Sequence, residues 1–283
     1  MRDIGVAGLD LWPFCRKKCQ RTNGVEPIAS AESLEDNKTN SAASLLFAPG
    51  RRPRAAEIRR LAEKCGQFSI SLDTSEEGGQ EEGWVELLAN GLTFDCTGLA
   101  PQMGSELPDL AHSYGLSATF DKTSHQAILI RPGPHLAAGG AMFPVVRTLA
   151  MIAAYLAALD GVEAVAWHPA RAISDPGYFR NSVLSWMEGG AFPGLGLTAL
   201  EAEENGGLRS EGLSLFTGQE LRMQPEVVSD VAEASKIALR LLNWLVENGR
   251  ITESFIFTGP SGETLRLEPV DNLAIVNVWR GSH

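Results

Sequence analysis

Apolar and polar residues along this chain recur at two periods, and the order in which those periods alternate predicts its elements. Ser44-Leu45-Leu46-Phe47-Ala48 is a short apolar run closed by Pro49 and Gly50, which reads as a strand followed by a turn. From Pro53 the apolar positions become Ile58, Leu61, Ala62 and Cys65, one face of a helix that Gly66 ends. Phe68, Ile70 and Leu72 then alternate with polar neighbours, the pattern of a half-buried strand. Apolar runs flank Asn90-Gly91, a pair that accepts positive φ at both positions and so predicts a tight hairpin, with Leu92, Phe94 and Cys96 on one face of its second strand. A short helix over Pro108–Tyr114 and a strand over Gln126–Arg131 complete the first half. That order of strand, helix, strand, hairpin strand, helix and strand loosely resembles the ferredoxin-like pattern.

A Gly/Pro-rich loop from Pro132 to Pro144 leads to an apolar helix, Val145–Leu159, and after Gly161 to a strand, Val162–Trp167. A crossover of this length predicts that the strands at 126–131 and 162–167 are parallel neighbours joined right-handedly. Ser174 or Asp175 caps the next helix, Pro176 fits its first turn, and Tyr178, Phe179, Val183, Trp186 and Met187 form its apolar side. Strands are expected at Leu195–Leu200, Gly212–Phe216 and Glu220–Met223, followed by the longest helix from about Glu226 to Asn248. Phe255 and Phe257, then Leu265 and Leu267, alternate around a Gly259–Gly262 turn, and Ala274–Trp279 forms a last strand. The predicted class is α+β: mixed sheet layers with helices packed on one face, a ferredoxin-like first half and one right-handed βαβ unit in the second. Residues 20–43 hold scarcely any large apolar side chain, so 1–43 is expected to be a poorly ordered arm and 44–280 a single domain, or two layers over 44–131 and 132–280.

Composition narrows the function classes. With 24 Lys+Arg against 35 Asp+Glu, the chain carries a formal charge of −11, which opposes nucleic-acid and anionic-membrane partners; the basic clusters Arg16-Lys17-Lys18 and Arg51 to Arg60 read as solvated surface. The most apolar segment, Val145–Leu159, spans 15 residues and contains Arg147, too short for a bilayer. Met1–Pro13 lacks a basic start followed by a long apolar run, so a cytoplasmic location is expected. Of the four cysteines, Cys15 and Cys19 lie close together but no second pair accompanies them, so no metal site is expected. Cys65 and Cys96 fall on apolar faces.

No phosphate loop, nucleophile elbow, dinucleotide fingerprint, zincin helix or EF-hand loop occurs, so no cofactor is identified. One constellation follows from topology, because loops after parallel strands leave on the same sheet edge, where ligands of open α/β sheets collect. The first loop brings Arg131, His135, Gly139 and Gly140; the second brings His168, Arg171 and Asp175. Together they offer cations and helix amides for a small anionic ligand, and two imidazoles with a carboxylate for proton transfer or metal ligation. Gly139-Gly140-Ala141-Met142, Ala166-Trp167-His168-Pro169-Ala170 and Phe216-Thr217-Gly218-Gln219-Glu220 within Gly212–Glu220 resemble a bacterial family known only as a domain of unknown function. That resemblance implies a bacterial cytoplasmic α+β domain and assigns no catalytic residue. A patterned core without a compact catalytic signature favours a non-enzymatic binding or interaction protein, regulatory or immunity-type, with a protein partner. The other reading is an enzyme acting on a small anionic substrate at the two loops.

Overall fold

An apolar run with no polar alternation is satisfied only inside a sheet, where both faces are covered. The computed structural model, which describes residues 41–73, 83–228, 230–259 and 261–281, places β1 (Ala43–Phe47) in that position, buried at every residue. It runs through the middle of an eight-stranded mixed sheet with β2 (Ser69–Leu72), β3 (Trp84–Ala89), β4 (Leu92–Thr97), β5 (His112–Tyr114), β6 (Gln126–Pro132), β7 (Val162–Trp167) and β8 (Ala172–Ser174). The strand order is β2-β3-β4-β6-β1-β7-β8-β5. Asn90 and Gly91 take φ of 51° and 75° and close the β3–β4 hairpin as expected.

The two faces of this sheet are covered differently. Ala43, Leu45 and Phe47, with Ile128, Ile130, Val165 and Trp167, share a cluster with α1 (Ala55–Cys65), α2 (Phe143–Leu156) and α3 (Pro176–Met187). Leu46, Ala164, Ala166 and Ile173 face the other way, onto Leu107, Leu110, Leu116 and Phe120 of the segment between β4 and β6. That segment holds two departures from the predicted pattern. Residues 108–111 are not helical, and His112–Tyr114 is a strand at the sheet edge, parallel to β8. Without that second helix, the first half is not ferredoxin-like. Pro108 starts a stretch whose Ala111 and His112 amides both donate to the Arg171 carbonyl, so tertiary pairing overrides the helical spacing.

The crossover through α2 does join two parallel strands of one sheet, but they are not neighbours. β1 lies between β6 and β7, antiparallel to each, with Ala43 opposite both Ile130 and Trp167. The periodicity of residues 126–167 contains no information about this third strand, which comes from about 80 residues earlier in the chain.

A second, six-stranded mixed sheet contains β9 (Ala199–Ala202), β10 (Leu208–Glu211), β11 (Glu220–Met223), β12 (Phe255–Thr258), β13 (Thr264–Val270) and β14 (Ile275–Arg280), in the order β12-β13-β14-β11-β10-β9. α5 (Val231–Asn248) packs Ala234, Ile237, Ala238, Leu241, Leu242 and Leu245 against its Leu221, Met223, Leu265, Leu267, Val276 and Val278. The helix starts later than expected because Asp230 caps it, accepting from the Ala232 and Glu233 amides. The strand expected at 212–216 is instead a short helix, α4 (Ser214–Thr217), since Gly212 at φ 87° turns the chain out of β10. The change from one sheet to the next falls between Ser174 and Ala199. Among the described residues no helix is long and apolar enough to cross a membrane. Ser41 and Ala42 are buried beside β1, so the expected arm cannot include 41–43; residues 1–40 lie outside the described residues, as do Cys15, Cys19 and the Arg16–Lys18 cluster.

Candidate functional site

The loops after β6 and β7 leave the first sheet at the same edge, since Ile130 and Trp167 lie level with Ala43. A ligand crevice at such an edge needs a gap between the strand ends. Here the chain entering β1 occupies that gap: Ser41 and Ala42 are buried, and the His168 amide donates to the Ala42 carbonyl.

His168 starts a 3-10 turn, His168–Ala170, and its side chain folds back onto β1, where Nε2 lies 2.9 Å from Ser44 Oγ. His168 is 7% exposed and Ser44 is 0% exposed. Burial pushes the imidazole down to about 4 from its ordinary 6.5, so at neutral pH the ring is uncharged. A serine hydrogen-bonded to a neutral histidine is the beginning of a nucleophile pair. Ser44, however, lies within the central strand with no path to a substrate, and the pair instead ties the β7 loop to β1.

Arg171 adopts φ 46° and donates to Asp109 at 2.6 Å, and it also lies 3.7 Å from Glu211. Glu211 in turn bonds His112 Nε2 at 2.8 Å, so a chain of polar contacts crosses from the β5–β8 edge of the first sheet to β10 of the second. Asp175 does not pair with Arg171; its carboxylate caps α3 by accepting from the Tyr178 amide at 2.8 Å.

In the first loop, Arg131 is exposed and lies 3.6 Å from Asp95, its cross-strand partner on β4. His135 is exposed within the 3-10 turn Pro134–Gly139. Gly140 has right-handed φ and ψ of −58° and −24°, and a Cβ added at Gly139 would meet the flexible Met142 side chain at 3.1 Å. Neither glycine is therefore required by backbone geometry. Among the described residues, no hydrogen bond or ion pair links Arg131 or His135 to His168, Arg171 or Asp175. The fold brings the two loops to one edge, where His168, Arg171, Asp175 and Arg131 each bond to partners outside the candidate set.

A second buried polar centre, in the other sheet, was not predicted. Glu220 on β11 is 3% exposed and accepts from Ser210 Oγ and from the amides of Gly212, Leu213 and Ser214 at 3.0–3.3 Å. Burial raises its pKa, opposed by the bonds from Ser210 and Ser214. Neighbouring Gln219 donates to the Ile251 and Leu273 carbonyls and accepts from the Ile251 amide. The segment Gly212–Glu220 thus folds around its own carboxylate. An acidic residue opening a strand of Leu221 and Met223 was the available signal, yet the partner amides come from a turn that periodicity misread as strand.

Among the described residues no three His, Cys, Asp or Glu side chains stand together as a metal site. Cys96 is buried, and its thiol is pushed up to about 12, so it is inert. An open groove of about 610 Å³, lined by Arg59, Glu63, Phe68, Ile70, Leu88 and Asn90 among others, lies by α1 and β2 and includes none of the seven candidate residues. Compared with known proteins, the chain matches no family model, no curated protein and no solved structure.

Proposed function

We propose that this chain is a bacterial, cytoplasmic, non-enzymatic interaction protein, regulatory or immunity-type, that works by contact with another protein. What carries this reading is that three of the candidate groups are already engaged by the protein itself: His168 by Ser44, Asp175 by the start of α3, and Arg171 by Asp109 and Glu211. A catalytic acid, base or anion clamp has to reach a bound substrate, and these groups are engaged elsewhere. Exposed apolar side chains at the edge of the second sheet, Phe255 and Ile256, give a surface better suited to another polypeptide than to a small anion.

The test is affinity purification of the tagged full chain from its source cells, combined with thermal unfolding against nucleotides, dicarboxylates and sugar phosphates. The expected result is a near-stoichiometric protein partner and no stabilisation by any metabolite. A metabolite at a hundredfold its Kd would stabilise by about 2.7 kcal/mol. Stabilisation of that order that is lost in the Arg131→Ala, His135→Ala double variant, with no protein partner recovered, would overturn the proposal in favour of the small-anion enzyme.

A further inference from the structure

Each sheet has two edges, and three of the four carry features that block pairing with another strand. β2 is bulged between Ile70 and Leu72 and bears polar Ser69 and Ser71. β5 has only three residues, and its His112 is bonded to Glu211. β9 buries Ala199 and Leu200 and exposes the charged Glu201. Among the described residues, β12 is four residues long and lacks the bulge, the ion pair and the charged residue found at the other three edges. Its sequence, Phe-Ile-Phe-Thr, contains no charge, proline or bulge, and Phe255 and Ile256 are 43% and 49% exposed.

The backbone of β12 can be assigned group by group. The Gly259 amide donates to the Glu263 carbonyl, which makes 259 and 263 a hydrogen-bonded pair in the β12–β13 ladder. Bonded and non-bonded pairs alternate along an antiparallel ladder. Phe257 with Leu265 and Phe255 with Leu267 are therefore the next bonded pairs, and Ile256 and Thr258 turn their N–H and C=O groups to the free edge. On one face Phe255 stacks on Trp244 of α5, with ring centroids 4.7 Å apart, so an added strand would meet an aromatic shelf.

Charge selects the occupant. The charged residues that bracket β12 in the chain, Glu253 and Glu263, are both acidic, Arg266 opposite Ile256 is paired with Glu268, and the whole chain carries −11. A second copy would bring like charge to like charge, whereas a strand with cationic ends is attracted. Resting on the interaction reading above, we infer that the free edge of β12 takes up an extended, β-branched segment of a partner protein flanked by basic residues, pairing with the outward groups of Ile256 and Thr258. This is strand addition to a sheet edge, in which backbone bonds give affinity and alternate side chains give selectivity.

The test uses the isotopically labelled full chain and two synthetic peptides, each a core of about seven alternating valines and threonines, one ended by lysines and the other by glutamates. The lysine-ended peptide is expected to protect the Ile256 and Thr258 amides from hydrogen exchange and to bind about tenfold tighter than the other, a difference that shrinks as salt screens it. Ile256→Pro, and separately Thr258→Pro, remove an amide that the β12–β13 ladder does not use. Each should leave the far-UV spectrum and thermal midpoint near wild type while weakening the peptide more than tenfold. Phe257→Pro, which cuts the ladder, should lower the midpoint. No protection at 256 and 258, equal affinity for both peptides, or unchanged binding by both proline variants overturns the inference. Protection of the same amides by raising protein concentration alone also overturns it, in favour of a second copy. A natural partner that still co-purifies with Ile256→Pro refutes the β12 site while leaving the interaction reading intact; recovery of no partner refutes that reading itself.

Discussion

Each sheet buries one serine hydrogen-bonded to an ionisable side chain, and the two centres are solved in opposite ways. In the first sheet, Ser44 is the side-chain partner of His168, and burial keeps the ring neutral. In the second, Glu220 collects four donors, Ser210 Oγ and three consecutive amides, which partly replace the water it has lost. Burial favours the neutral form of both groups: it pushes the His168 ring below its ordinary pKa, and it raises the Glu220 carboxyl because desolvation outweighs the four donors. Acidification should therefore act on the two centres with opposite sign.

The largest expected effect comes from removing the acid. Glu220→Leu leaves the Ser210 hydroxyl and the Gly212, Leu213 and Ser214 amides buried without their acceptor, and urea unfolding should show a loss of about 3–5 kcal/mol. The next is the acid limb of stability. His168 has a folded pKa of about 4 against its ordinary 6.5, so the unfolded chain takes up the proton first. Its neutral burial is without penalty above pH 6.5, and stability then falls by on the order of 3 kcal/mol as pH drops toward 4. Glu220 is shifted upward, so its contribution is present below the ordinary carboxyl range and lost as pH rises through the folded value. His168→Gln should flatten the fall between pH 6.5 and 4, and Glu220→Gln should steepen it, in unfolding curves taken across that range. Parallel curves for wild type and both variants would break the comparison.

Smaller effects sharpen it. Ser44→Ala removes the side-chain bond of His168 and should cost about 1–2 kcal/mol, without changing the sign of the acid limb. The smallest belongs to Arg171, whose ion pairs with Asp109 and Glu211 are partly solvated and worth at most about 1 kcal/mol. Because its backbone sits at φ 46°, Arg171→Gly should lie within about 0.5 kcal/mol of wild type, and Arg171→Ala should lose more.

What the sequence discloses here depends on the range of the interaction. The Asn90-Gly91 hairpin, the Asp175 cap and the Gly66 helix end were legible because each is made by residues adjacent in the chain. The mostly apolar run near 45 indicated a strand, and the burial of both its faces agrees with that run, but nothing in it names β6 and β7 as its partners. The expected pairing of β6 with β7 as neighbours failed for that reason, since β1 lies between them. His168 stands out in the sequence as a candidate for ligand binding or proton transfer, but its partner Ser44 lies 124 positions away. Glu220 was overlooked because its donors sit in a turn, where spacing has no period to read.

The central place of β1 also bears on how the molecule is made. Ala43 has to wait until Ile130 and then Trp167 have left the ribosome before either side of its strand is covered. During that interval β1, with two unpaired edges, is open to water, and the sheet cannot form outward from its first strand. Synthesis of this chain thus passes through a stage in which β1 is open to pairing with other nascent copies, and the slower the elongation from 47 to 167 the longer that stage lasts.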